Sequence, residues 1–194
     1  MNLLPIDAIR WVLFIPAGAA VILAFLPNYR LSARLNVAAS FAALLVSLSM
    51  LGDRVEPGLY FQIDDLNIVF IILNNFVGFT TSVFSATYIG HELETGRLTP
   101  NHLCFYHAMY QVLMFGMNLA LVANNIGVMW VAIELATLST VLMVGIYRTH
   151  EALEAAWKYF ILGSVGIALA LFGTILVYLA SSSVLGEGME AMAC

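Results

Sequence analysis

Trp130-Val-Ala-Ile-Glu-Leu-Ala-Thr-Leu-Ser-Thr-Val-Leu-Met-Val-Gly-Ile-Tyr147 is apolar enough to cross a bilayer, yet it carries Glu134 well inside. A carboxylate at the bilayer centre costs about 2.5–3.5 kcal/mol on insertion scales. Such a group is neutral, paired, or turned to a polar channel. The segment after it, Glu154-Ala-Ala-Trp-Lys-Tyr-Phe-Ile-Leu-Gly-Ser-Val-Gly166, sets Lys158 in a second apolar run. An acid and a base in consecutive membrane segments point to a proton or ion path.

Working outward from these two segments, the composition agrees with a membrane setting. The chain is 62% hydrophobic and 10% charged, whereas a soluble domain carries about 25% charged residues. It has too little polar surface to cover itself in water, so it reads as an integral membrane protein. The net charge of −5 is spread along the loops. With no basic patch, nucleic acid is not an expected partner. Cys104 and Cys194 lie in unrelated segments without CxxC spacing, so neither a disulfide nor a metal site is expected. The N-terminus lacks a basic n-region and a small-residue cleavage site, so the first apolar run is expected to stay as a span.

Six apolar runs follow in order: Trp11–Leu26, with Pro16 inside as an expected kink; Leu35–Leu51; Leu66–Ile89; Leu103–Ala123; Ile126–Tyr147; and a sixth opening after Thr149 and reaching about Ala180. Asn28–Arg34 reads as a short basic loop. Gly52–Asp65 reads as a surface loop with turn residues at Pro57-Gly58 and a short alternating stretch, Tyr60–Ile63, that allows a small hairpin. His91–Asn101 reads as a polar loop. Asp64 or Asp65 and Thr149 are expected to cap the helices they precede, and Asn124-Asn125 marks a tight turn into the fifth run. The reading is an all-α, polytopic membrane helix bundle with six transmembrane helices. Residues 1–180 form the membrane domain, and 181–194 a short polar Gly/Ser-rich tail, an expected truncation point.

Basic residues near the span ends set the expected orientation. One side receives Arg30, Arg34, Arg97, Arg148 and Lys158, the other Arg10 and Arg54. This puts the first group in the cytoplasm, the N-terminus outside, and the chain in a bacterial inner membrane.

Glu134 reads as a transport group, against the plainer reading of a glutamate bonded at a helix contact. Lys158 reads either as part of the path or as an anchor reaching the headgroups. His107 reads as a proton relay or as an interfacial histidine satisfied by water, and His102 lies with it near the start of the fourth run. His91 and His150 read as solvated. Asn74-Asn75 and Thr80-Thr81-Ser82 read as glue between helices. From Tyr147 inward, Glu134 lies about 20 Å from its helix end, and from Thr149 inward Lys158 lies about 13–14 Å down the next. The expected gap of about 6 Å along the normal is within reach of an extended lysine. No nucleotide, flavin, iron–sulfur or metal motif is present in the sequence, so no cofactor is expected.

Asp65-Leu-Asn at the third helix start, Ile133-Glu-Leu in the fifth, and Glu154-Ala-Ala-Trp-Lys-Tyr-Phe-Ile-Leu-Gly in the sixth carry a resemblance. All are similar to the proton-pumping, antiporter-like subunits of respiratory complex I and membrane-bound hydrogenases. From Glu134 to Tyr178, with Gly145-Ile-Tyr-Arg, the chain most resembles hydrogenase-4 component F. The resemblance implies a truncated version of a fold of about 14 helices with two inverted five-helix repeats. The first repeat is cut here after three of its helices, as expected for a fragment, a truncated gene product or one piece of a split subunit. The family's fifth-helix glutamate falls on Glu134, while its partner lysine in the seventh helix has no counterpart here. The implied function is a non-redox membrane subunit of a proton-translocating oxidoreductase of hydrogenase-4 or NADH-quinone oxidoreductase type. Implied partners are the other membrane-arm subunits, a peripheral redox arm, the lipid bilayer and protons. The alternatives are a subunit of a multisubunit cation/proton antiporter or a transport-dead remnant.

Overall fold

Asn28, Asp64, Asn125 and Thr149 each hold extended backbone just before a helix, and each side chain accepts a hydrogen bond from a first-turn N–H. The donors are Arg30 at 3.1 Å, Asn67 at 2.7 Å, Gly127 and Val128 at 2.9 and 3.1 Å, and Ala152 at 3.2 Å. Short polar side chains at these positions satisfy N–H groups that the helix itself leaves unpaired. The computed structural model describes residues 5–26, 28–52, 61–96, 98–186, 188 and 190–192.

Among the described residues six α-helices follow: α1 Pro5–Phe25, α2 Tyr29–Ser49, α3 Asp65–Glu94, α4 Pro100–Val122, α5 Ile126–Val144 and α6 His150–Leu185. A 3-10 turn, Gly145–Tyr147, tightens the end of α5, and another spans Glu190–Met192. The all-α reading holds. Extended pairing among the described residues is limited to one antiparallel bridge, Phe61 to Ala123, with Gln62 N donating to Val122 O at 3.0 Å. Phe61 and Gln62 are therefore tied to the end of α4; the rest of the stretch read as allowing a hairpin, Pro57-Gly58 and Tyr60, lies outside the described residues.

The helices extend beyond the apolar runs. Arg30 and Arg34 lie in the first turns of α2, and His91 and Glu92 lie in the last turns of α3. A polar residue at the water interface does not end a helix; a cap does, and the caps sit farther out. Ser181–Ser183 likewise belong to α6 rather than to a tail. The hydroxyls of Ser182 and Ser183 donate back to the carbonyls of Leu179 and Ala180, at 3.1 and 2.7 Å. The helix stops at Gly186, whose φ of 83° suits glycine. α1 runs through Pro16, which is buried.

α1 to α4 form a four-helix unit in which α1 packs on α2 and α4, α2 on α3, and α3 on α4, with α2 also touching α4 across the middle. α5 packs on α4, and α6 packs mainly on α5. One apolar cluster (Val12, Leu13, Ile68, Ile71, Val122) holds one end, and another (Ile89, Leu98, Leu103, Ile146) holds the other. The outer faces carry Phe14, Phe25, Phe84, Leu162 and Leu169, while Asn36, Asn75, His107, Gln111 and Asn118 are buried inside. Large apolar groups outside and polar groups inside are what a lipid surround favours.

Five of the helices are long and apolar enough to cross a membrane. The sixth, α4, has 23 residues, about 34 Å at 1.5 Å per residue. Its hydropathy is lowered by His107, Gln111 and Asn118, which all face the interior. The chain is thus a multi-pass membrane protein.

Candidate functional site

α5 is held by close backbone contact on one side and side-chain bonds on the other. Gly116 of α4 lets the helices approach: a Cβ there would sit 3.0 Å from Ala132 O and 3.1 Å from Ala136 N. Toward α6, Trp130 Nε1 donates to Ile167 O at 2.9 Å, and the hydroxyls of Thr140 and Tyr159 are bonded at 3.1 Å. Thr137 meets Gly163, and Gly145 meets Ala156. These contacts fix the antiparallel register of α5 and α6.

Glu134 lies in mid-helix, half-buried, and its Oε2 is buried without a hydrogen-bond partner among the described residues. Glu134, Leu138, Val141 and Gly145 recur at helical spacing on one stripe of α5. The last three line a cleft of about 910 Å³ between α4, α5 and α6. Thr99, His102 and Arg148 stand at its other end, and Phe105, Trp157 and Phe160 complete its apolar walls. The stripe places Glu134 one turn beyond the cleft's inner end. Glu134 is a carboxyl group in an apolar wall, one turn from a gap between helices, with one oxygen unpaired among the described residues.

The expected Glu134–Lys158 pair is not formed. Lys158 Nζ bonds Glu154 Oε1 at 2.5 Å, one turn earlier on its own helix, and its side chain is 71% exposed. The register explains this. Pairing Thr140 with Tyr159 and Gly145 with Ala156 sets Lys158 level with Val141. Seven residues separate Val141 from Glu134, about 10 Å along the helix rather than about 6 Å. Counting from Tyr147 and Thr149 failed because the two helices meet face to face only from Gly145 and Ala156 inward.

His107 is not interfacial. It lies 1% exposed in α4 within the α1–α4 unit, with Nδ1 lacking a hydrogen-bond partner among the described residues. Gln111, one turn on, donates from Nε2 to Asn36 Oδ1 at 2.7 Å and to Ser40 Oγ at 3.0 Å. Glu134 faces away from this group, so the structure brings none of Glu134, Lys158 and His107 together. Sequence reading passed over Asn36, Gln111 and Asn118. The available signal was polar residues recurring at helical spacing in apolar runs: Ser32, Asn36, Ser40 in α2 and His107, Gln111, Asn118 in α4. Asn74-Asn75 does act as glue, since both donate to Asn118 Oδ1, at 3.0 and 3.1 Å. Thr80 and Ser82 instead bond carbonyls of their own helix.

Residues 123–192, the stretch with Glu134 and the α5–α6 register, match the family model described as NADH:quinone oxidoreductase/Mrp antiporter, TM. Over 94% of its length the chain is 59% identical to a hydrogenase-4 component F homolog of Methylacidiphilum infernorum. The likeness to hydrogenase-4 component F runs through nearly the whole of this chain. The chain is also 27% identical over 90% of its length to NADH-quinone oxidoreductase subunit N 2 of Thermodesulfovibrio yellowstonii. To F(420)H(2) dehydrogenase subunit N of Methanosarcina mazei it is 34% identical over 50% of its length. It spans 38% and 39% of the length of the first two relatives and 20% of the third.

Proposed function

We propose that this chain is a membrane subunit of a proton-translocating oxidoreductase of hydrogenase-4 or NADH-quinone oxidoreductase type, and that Glu134 is a proton-carrying group of its path. The supporting observation is the buried, unpartnered Oε2 of Glu134 in mid-span, in a chain so similar to a hydrogenase-4 component. An ionisable group kept inside a span marks an ion or proton pathway by default. Lys158, charged and paired with Glu154 at the level of Val141, acts on the path through its field. His107 is a separate proton-holding group in the α1–α4 unit. Redox chemistry belongs to partner subunits: other membrane-arm subunits and a peripheral arm. The setting is a bacterial inner membrane with the N-terminus outside, in keeping with the five-to-two split of basic residues.

The test is Glu134→Gln in the complete complex. It keeps shape and removes the ionisable group. Vesicle acidification coupled to electron transfer should be lost while the complex still assembles; normal pumping would remove Glu134 from the path. The family description, which also names an antiporter, supports a second reading as a cation/proton antiporter subunit. Purifying the native complex separates the two. Iron–sulfur and hydrogenase-like subunits would accompany the first, and only small hydrophobic subunits the second.

A further inference from the structure

Among the described residues, three polar atoms in one part of the α1–α4 unit are buried without a hydrogen-bond partner: His107 Nδ1, Ser32 Oγ and Asn36 Nδ2. All three residues are at most 1% exposed. Their positions converge. Gln111 of α4 bonds Asn36 of α2, and the Cys104 thiol of α4 lies beside Ser32 of α2 without a hydrogen bond of good geometry between them. Cys104, His107 and Gln111 follow one another at three- and four-residue spacing, so they share a face of α4. Ser32 and Asn36 share a face of α2 for the same reason. His107 therefore lies at a level between those of Ser32 and Asn36, on the part of α4 that also meets α3 through Tyr110 and Asn118.

We infer that this seam is an internal water site, with one ordered water held by His107 Nδ1, Asn36 Nδ2 and Ser32 Oγ. Buried polar groups in folded proteins are almost always paired, and where no protein partner is in reach a water supplies the bonds. The three atoms suit a water's four-bond capacity. The Asn36 amide N–H donates to the water oxygen, an unprotonated Nδ1 accepts one of its hydrogens, and the Ser32 hydroxyl can do either. Three bonds is the usual number for a buried water. A cation suits the place poorly, because Asn36 presents N–H groups and its carbonyl oxygen is engaged by Gln111. The site lies on the opposite side of α4 from Glu134 and does not rest on the proton-path reading.

The experiment is X-ray radiolytic labelling of the complete complex in ¹⁸O-water, read by mass spectrometry. Radicals form at bound water, so a buried side chain is labelled only where water sits beside it. Met114, buried on the same helix and the more readily oxidised side chain, is the internal reference. His107 should take up ¹⁸O several-fold faster than Met114. The double variant Ser32→Ala, Asn36→Leu should bring His107 down to the Met114 level and leave Met114 unchanged. Labelling of His107 no faster than Met114 in the unaltered complex overturns the site. So does fast labelling that survives the double variant. If that variant does not assemble, the comparison in the unaltered complex decides alone.

Discussion

Asn75 of α3 and Asn118 of α4 exchange two side-chain hydrogen bonds, of 3.1 and 3.2 Å, at the buried interface between their helices. Each amide thereby uses donor and acceptor on the other, and Asn74 adds a third bond to Asn118 Oδ1. In a lipid surround the apolar faces give little preference for one neighbour over another, so such bonds specify which helices meet.

The first prediction follows from that exchange. Asn118→Leu should destabilise the folded protein by about 1 kcal/mol, and a double-mutant cycle with Asn75→Leu should give a coupling of about 0.6–1.7 kcal/mol. The measurement is reversible unfolding in mixed micelles. A coupling near zero would mean that the amides do not meet.

Gly116 and Gly78 should respond differently to alanine. At Gly116 the new methyl meets backbone, Ala132 O and Ala136 N, so α4 and α5 must part; overpacking of this kind costs about 1–3 kcal/mol. At Gly78 the nearest atoms belong to the end of the Met114 side chain, which can take another rotamer. Gly116→Ala should lower the melting temperature clearly more than Gly78→Ala. The reverse order would argue against the close α4–α5 contact.

Orientation is open to a direct assay. A reporter fused after Arg97 should read cytoplasmic, and one fused after Glu56 should read outside, from the split of basic residues. The opposite result would invert the sides assigned to Arg148 and to the mouth of the cleft.

What sequence alone conveyed depended on which physical rule governed each feature. The six helices were legible because apolar runs of membrane length leave few alternatives. Asp64 and Thr149 were legible as starts because capping is local chemistry. Helix ends at Glu94 and Leu185 were not, since a hydropathy pattern marks the lipid boundary rather than the helix boundary. Glu134 stood out because a carboxylate in hydrocarbon is costly. Its relation to Lys158 depends on register, and register is fixed by Trp130, Thr140 and Gly145 meeting Ile167, Tyr159 and Ala156, contacts between two separate faces that no single-helix pattern encodes. The buried polar seam between α2 and α4 was hidden for the same reason: Asn36 and Gln111 are unremarkable alone and meaningful only when the two helices are brought together.

Lys158 and Glu154 form an exposed pair one turn apart, and such pairs contribute about 0.3–0.5 kcal/mol. Lys158→Met should therefore leave stability nearly unchanged. In the complete complex it should slow pumping only modestly, against full loss for Glu134→Gln. Equal loss in both variants would make Lys158 an obligatory carrier rather than a group acting through its field.

The α5–α6 register itself can be tested by cross-linking. A Cβ on Gly163 would lie 3.2 Å from Thr137 Cγ2, which puts the two Cβ positions near the separation of about 3.5–4.5 Å that a disulfide needs. Cysteines at Thr137 and Gly163, in a background with Cys104 and Cys194 replaced, should cross-link readily under mild oxidation. Cysteines at Glu134 and Lys158 should not, because the register sets them about 10 Å apart along the helices and a disulfide tolerates Cα atoms no more than about 7 Å apart. The two pairs discriminate between arrangements. If α6 slid by two turns to bring Lys158 opposite Glu134, the second pair would close and the first would open. Efficient bridging of 134 with 158 would overturn the register and restore a direct acid–base pair at the centre of the path. Bridging of 137 with 163 alone would fix Glu134 as a carboxyl group whose partner comes from outside α6.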